Sequence, residues 1–162
     1  MKQQQASRNP HGILWVEGEC IRPQHFSFLD LAEVHRYYQV PDVSKVDERY
    51  TGRAVRLRKL IDLVGPGNDA RWITAESEDG KFSVCLPLEE VAPTALVIYG
   101  VGDKALDRSE GGPARYLVPF HPDNCTAVKG LARLVISREQ GRDTRPSTKE
   151  EHVELHRQET AD

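Results

Sequence analysis

The chain has 162 residues, 38% of them hydrophobic and 29% charged, with a formal net charge of −3. That length corresponds to one domain, able to bury a core without a disulfide or metal staple. The slightly acidic balance, with a pI of about 6.1, excludes general nucleic-acid binding, which needs a basic domain or face.

Residues 1–11 are polar and predict a disordered tail ahead of a domain over 12–138. Ile13–Val16 is a short apolar run closed by glycine, hence a strand. Ser27 and Asp30 carry capping-box spacing and predict a helix over 28–36. Residues 37–49 lack a period and contain Pro41, giving a strand fragment and a loop. Leu57, Leu60, Ile61 and Val64 recur at helical spacing until Gly65-Pro66-Gly67 stops them, and the basic run Arg53, Arg56, Arg58 and Lys59 is expected as a solvated helix face. Arg71–Ala75 and Phe82–Leu86 flank Glu78-Asp79-Gly80 as a hairpin, and Leu88–Val91 reads as one helical turn. Leu96–Tyr99, Tyr116–Val118 and Ala132–Ile136 complete five or six short strands, so the fold class is α+β with a mixed β-sheet and short helices. Beyond 138 the apolar period is lost, and 139–162 is expected as a charged tail whose deletion leaves stability unchanged.

A Gly112-Pro113 turn sets Arg115 at the start of a strand, and a polar loop then delivers Lys129 just before the last strand. Two cations and free loop N–H groups converging on one place suit an anionic ligand. On spacing alone, a hairpin with solvated charges is the favoured reading. The three cysteines, Cys20, Cys85 and Cys125, show no CxxC spacing for zinc or a redox disulfide and point to a reducing compartment. With neither an apolar leader nor a long apolar run, the cytoplasm is the expected location and no membrane partner is expected. No phosphate-binding or dinucleotide glycine loop and no nucleophile elbow is present, and His152 and His156, four apart in the tail, have no third metal ligand nearby.

Several blocks in order carry a resemblance: Tyr50-Thr51-Gly52, then Asp79-Gly80 with Leu86-Pro87-Leu88, then Gly112-Pro113-Ala114-Arg115-Tyr116-Leu117-Val118-Pro119, then Val128-Lys129-Gly130-Leu131-Ala132-Arg133-Leu134. This series resembles the molybdopterin-binding domain of the sulfite-oxidase-like oxidoreductases. The resemblance implies that family's α+β fold, a molybdopterin cofactor carrying molybdenum, oxidoreductase activity on an unknown substrate, and an unknown redox partner. It places Arg115 and Lys129 at the pterin phosphate, with His121, Cys125 and Thr126 in the loop beside the pterin, and Asp79 near the substrate face. The family also ligates its metal with a cysteine shortly before the motif matched by Tyr50-Thr51-Gly52. Here that place is held by Val40, and no cysteine lies between Cys20 and Cys85, so no metal ligand is assigned. The alternative is a binding or interaction module that keeps the fold without molybdenum, marked by a cleft filled by Tyr37, Tyr38 or Phe120.

Overall fold

Ten short strands sort into two five-stranded sheets in the computed structural model, which describes residues 10–146. The first sheet holds β1 (Gly12–Gly18), β2 (Gln24–Ser27), β5 (Trp72–Ser77), β6 (Ser83–Pro87) and β10 (Leu131–Ser137), in the order β2-β1-β10-β5-β6. The second holds β3 (Gln39–Val40), β4 (Arg53–Arg56), β7 (Leu96–Val101), β8 (Lys104–Ala105) and β9 (Arg115–Leu117), with β7 pairing β4, β8 and β9. Among these strands only β1 and β10 run parallel. The α+β expectation stands, with two sheets in place of one and more strands than the five or six anticipated.

The second sheet is apolar on both faces. Val55, Val97, Tyr99, Tyr116 and Val118 point into the main core, while Ala54, Leu96, Ile98 and Leu117 point into a smaller cluster with Val40, Val43 and Leu106. A strand covered on both sides reads as a continuous apolar run, which is why Leu96–Tyr99 shows no alternation. Between the sheets lies α2 (Leu57–Val64), which buries Leu57, Leu60, Ile61 and Val64 as their spacing predicts and ends at Gly65, whose N–H bonds the Ile61 carbonyl at 2.9 Å. The capping box at Ser27 and Asp30 forms, with reciprocal bonds of 3.0 and 2.8 Å, but α1 (Phe28–Ala32) ends well short of 36. The third helix, α3 (Leu88–Val91), is the single turn expected.

Two expectations change. Arg53 and Arg56 belong to β4, so the basic run is divided between a strand and a helix. The cations also lie on rings: Arg58 and Lys59 sit 5.7 and 5.1 Å from the Tyr38 centroid, and Arg53 sits 5.6 Å from Tyr99.

The second change concerns the segment after β10. Strand β6 is the last of its sheet, so the outward backbone groups of Ser83 and Cys85 need partners. Residues 141–145 supply them. Ser83 exchanges bonds with Thr144, its N–H donating to Thr144 Oγ1 at 3.0 Å and its carbonyl accepting from the Thr144 N–H at 2.8 Å. Cys85 N–H donates to Asp143 Oδ2 at 3.2 Å, and Gly141 N–H donates to Cys85 Sγ at 3.2 Å. Gly141 is required by this approach, because a Cβ there would run into Thr74 Oγ1. The domain edge expected at 138 therefore lies further along the chain, and this part of the expected tail is a strap across an open sheet edge. The tails at 1–9 and 147–162, with His152 and His156, fall outside the described residues.

Removing everything after Glu139 exposes the β6 edge, and the expected outcome is a melting temperature lower by about 5 °C, corresponding to one to two kcal/mol in a domain of this size. Thermal unfolding of the shortened and full chains checks it; an unchanged midpoint restores the expectation of a dispensable tail.

Candidate functional site

Arg115 opens β9, whose residues Tyr116 and Leu117 are anchored in the two cores. Tyr116 makes an antiparallel bridge with Val128, bonding both ways at 2.8 and 3.0 Å, so the residues flanking that bridge, Arg115 and Lys129, face one another across it. Gly111 then fixes their stems. Its backbone is left-handed, with φ 94°, and a Cβ on it would lie 3.2 Å from Arg115 Cδ and 3.4 Å from Lys129 Cγ. Gly130 N–H bonds the Gly111 carbonyl at 2.8 Å, tying the two loops together. Only a residue that tolerates positive φ and lacks a side chain permits this convergence.

The pair lines a cleft of about 610 Å³, walled by Tyr50, the β5–β6 turn, the 111–112 and 124–130 loops, and the strap residues Thr144 and Arg145. A smaller recess of about 370 Å³ shares Tyr50, Arg108, Gly111, Arg115 and Lys129 with it and adds Arg49 and Glu110 among its lining. The Arg115 guanidinium stacks on the Tyr50 ring at 4.7 Å, and Arg49 approaches the same ring at 5.6 Å. Arg49 is itself locked by the Asp47 carboxylate at 2.8 Å and by Asn124 Oδ1 at 3.1 Å, so the loop before β4 is tied to the loop before Lys129.

Electrostatically the cations divide into two groups. Arg108 pairs with Glu78, and Arg145 pairs with Asp143 at 2.7 Å and Asp123 at 3.1 Å. Among the described residues, neither Arg115 nor Lys129 has a carboxylate partner. Arg115 Nε is moreover buried with no hydrogen-bond acceptor. Leaving a buried donor unsatisfied costs about 1–3 kcal/mol, more for a charged group, so an acceptor belongs there.

Of the residues singled out from sequence, Arg115, Lys129, Cys125 and Asp79 line the cleft, while His121 and Thr126 are outside its lining. His121 Nε2 lies 3.1 Å from Glu90 Oε1, and its Nδ1 accepts the Asp123 N–H at 3.0 Å. Thr126 is buried and donates to the Asp123 carbonyl at 3.1 Å. Both therefore shape the loop from within. Asp79 accepts the Lys81 N–H at 2.9 Å and the Ser77 hydroxyl at 2.7 Å, and these bonds hold its carboxyl below the usual carboxylate value, as in an Asx turn. Tyr37 and Phe120 stand exposed, and they and Tyr38 are outside the cleft lining, so none of the three fills it. Tyr50, Arg108, Gly111 and Arg145 were not foreseen as site residues; for Tyr50 the available signal was an aromatic directly before a Thr-Gly turn.

The donor set decides what the cleft accepts. Val40 is sealed in the smaller core against Val43 and Ala54 and offers a metal nothing. Cys85 is buried beneath the strap, and burial, with the Glu17 and Glu19 carboxylates adding to it, pushes the Cys20 thiol up, away from the thiolate form that binds metal. Among the described residues no group of three or more His, Cys, Asp and Glu side chains converges on a metal position. The cleft thus presents Arg115 and Lys129 to an anion and Cys125 on its wall, while Val40, at the position where the resemblance places the metal ligand, offers no thiolate.

The carboxylates that lock the walls give a pH dependence. Hydrogen bonds from Arg49 hold Asp47 below its usual value; for Asp143 burial pushes upward, but the bonds from Arg145 and the Cys85 N–H outweigh it and the net direction is down. Both contributions are complete above the unfolded carboxylate value near pH 4 and are lost as pH falls through the depressed folded values. The expected outcome is a melting temperature that falls below about pH 4, with a shallower fall in Asp47→Asn and Asp143→Asn, read from thermal unfolding across pH.

The family model described as the oxidoreductase molybdopterin binding domain matches residues 13–144. No curated protein matches the sequence. Among solved structures, the sulfane dehydrogenase SoxCD from Paracoccus pantotrophus is similar in fold, with a TM-score of 0.60 and 23% identity over 78% of this chain, which spans 38% of that chain. No helix among the described residues is long and apolar enough to cross a membrane. With the match running from β1 into the strap, the chain belongs to the oxidoreductase molybdopterin-binding domain family.

Proposed function

We propose that this chain binds the molybdopterin cofactor through its phosphate, with Arg115 and Lys129 as the anion site, and that it is an oxidoreductase of unidentified substrate and redox partner. One observation carries the reading: a buried Arg115 Nε that has no acceptor among the described residues, on a guanidinium stacked on Tyr50, beside a lysine with no carboxylate partner among them. Arginine forks two hydrogen bonds onto a phosphate, and lysine adds a mobile point charge. The cleft volume of about 610 Å³ is in the range of cofactor sites. Cys125 and the turn at Asp79 wall the space beyond the cations, while His121 and Thr126 keep the Cys125 loop in shape. When bound, the cofactor supplies a redox-active molybdenum; the protein's own residues grip the anion, orient the pterin and exclude water. A cytoplasmic setting accords with the thiols of Cys20 and Cys85.

A second reading is favoured by Val40. A valine sealed in a core at the family's ligand position suits a module that holds the pterin, or another anion, without molybdenum chemistry. Metal analysis separates the two.

The test is purification from a host that makes molybdopterin, followed by release and oxidation of the bound pterin. Near-stoichiometric pterin is expected, with retention at least about tenfold lower in Arg115→Ala, the loss of one charge-assisted hydrogen-bonded contact. Unchanged retention in that variant removes Arg115 from the site. Molybdenum recovered in proportion to pterin supports the oxidoreductase, and pterin without molybdenum supports the second reading.

A further inference from the structure

Two arginines line the same cleft in opposite states. Arg115 has a buried nitrogen with no acceptor, whereas Arg145 has all three nitrogens engaged by the protein itself. Arg145 Nε lies 3.0 Å from both Asp143 oxygens, Nη2 donates to Asp143 Oδ2 at 2.7 Å and reaches the Cys85 carbonyl at 3.5 Å, and Nη1 donates to Asp123 Oδ2 at 3.1 Å. A guanidinium so occupied has little left for a ligand. Its effect is on Asp123, whose other oxygen accepts the Cys125 N–H at 2.8 Å and caps the 3₁₀ turn Asn124–Thr126.

We infer that Arg145 is a positioning residue: it pins the turn carrying Cys125 to the edge of β6 and thereby holds one wall of the cleft in the shape that retains its ligand. Residue 145 lies just past the stretch matched by the family model, so the inference comes from this chain's own contacts. The pin joins three separate pieces of chain: the strap at 143–145, strand β6, and the loop at 123–125. The ion pairs are largely shielded, with 22% of the Arg145 side chain exposed and 29% of Asp123, so removing one partner leaves a poorly solvated charge unpaired and costs more than breaking a surface pair. On the opposite side Arg49 grips Asn124 Oδ1, so the turn is tethered at both flanks. The retention part of the inference rests on the proposed function; the pinning of the turn does not.

The experiment uses the full chain and reads each cysteine separately, by N-ethylmaleimide labelling and peptide mass spectrometry, alongside pterin retention. Arg145→Ala and Asp123→Asn each remove the pin, and the asparagine keeps an oxygen for the Cys125 N–H. Both are expected to raise the Cys125 labelling rate about tenfold by easing local opening, with lower pterin retention in each. The double variant is expected to label no faster than either single one, because both break the same interaction. Arg142→Ala, which removes a strap bond to the Gly80 carbonyl at 3.0 Å but none to Asp123, is expected to leave the Cys125 rate unchanged. An unchanged Cys125 rate in Asp123→Asn, or rates that multiply in the double variant, overturns the pin. If the rates change as expected but even the unaltered chain yields no pterin, the pin stands and the cofactor reading falls.

Discussion

Two like charges brought to one cleft, with no carboxylate partner among the described residues, are the constraint around which the site is arranged. Arg115 and Lys129 face each other across the Tyr116–Val128 bridge, and their stems pack on Gly111. Like charges disfavour one another, so the surrounding structure has to hold the half-buried Arg115 beside the exposed Lys129. It does so through Tyr116 and Leu117 in the two cores, through the left-handed Gly111, and through the Tyr50 ring beneath the guanidinium. Nearby arginines are neutralised instead: Arg108 by Glu78 and Arg145 by Asp143 and Asp123. The result is a positive spot at Arg115 and Lys129 with no carboxylate partner among the described residues, in a cleft where Arg108 and Arg145 are each paired, an arrangement that suits an anion.

The second sheet anchors the elements that carry this site and also takes up Val40. With both faces apolar, β4, β7 and β9 are packed between two cores. The same smaller core absorbs Val40, where a cysteine would stand in the family resemblance drawn from sequence. A thiolate there would be surrounded by Val43, Ala54, Leu96 and Leu106, and valine instead completes the packing. On the proposed function, the chain keeps the anion-binding half of the expected site, while a hydrocarbon stands where the resemblance expects the protein donor to the metal.

Local signals proved legible where a single element sufficed. The spacing of Leu57, Leu60, Ile61 and Val64, the Ser27–Asp30 capping box and the Asp79-Gly80 turn each report on a few neighbouring residues, and each element forms. Arg115 and Lys129 were legible because a turn and a bridge deliver them from nearby segments. The parallel pairing of β1 with β10 joins the two ends of the domain and leaves no trace in periodicity. Strand β4 was hidden because its two buried residues, Ala54 and Val55, face different cores between two arginines. The strap was hidden for a different reason. Gly141, Asp143, Thr144 and Arg145 look like solvated tail by composition, and their role comes from hydrogen bonds to an open strand edge that no local pattern announces.

The most direct test of the central claim follows the Arg115 Nε–H resonance in uniformly nitrogen-15-labelled full chain during titration with inorganic phosphate. The account predicts a saturable shift of that proton, with slower solvent exchange, as the buried donor gains its acceptor, while the exposed Arg58 guanidinium barely responds. An Arg115 signal that moves no more than that of Arg58 up to the solubility limit of phosphate would contradict the anion site.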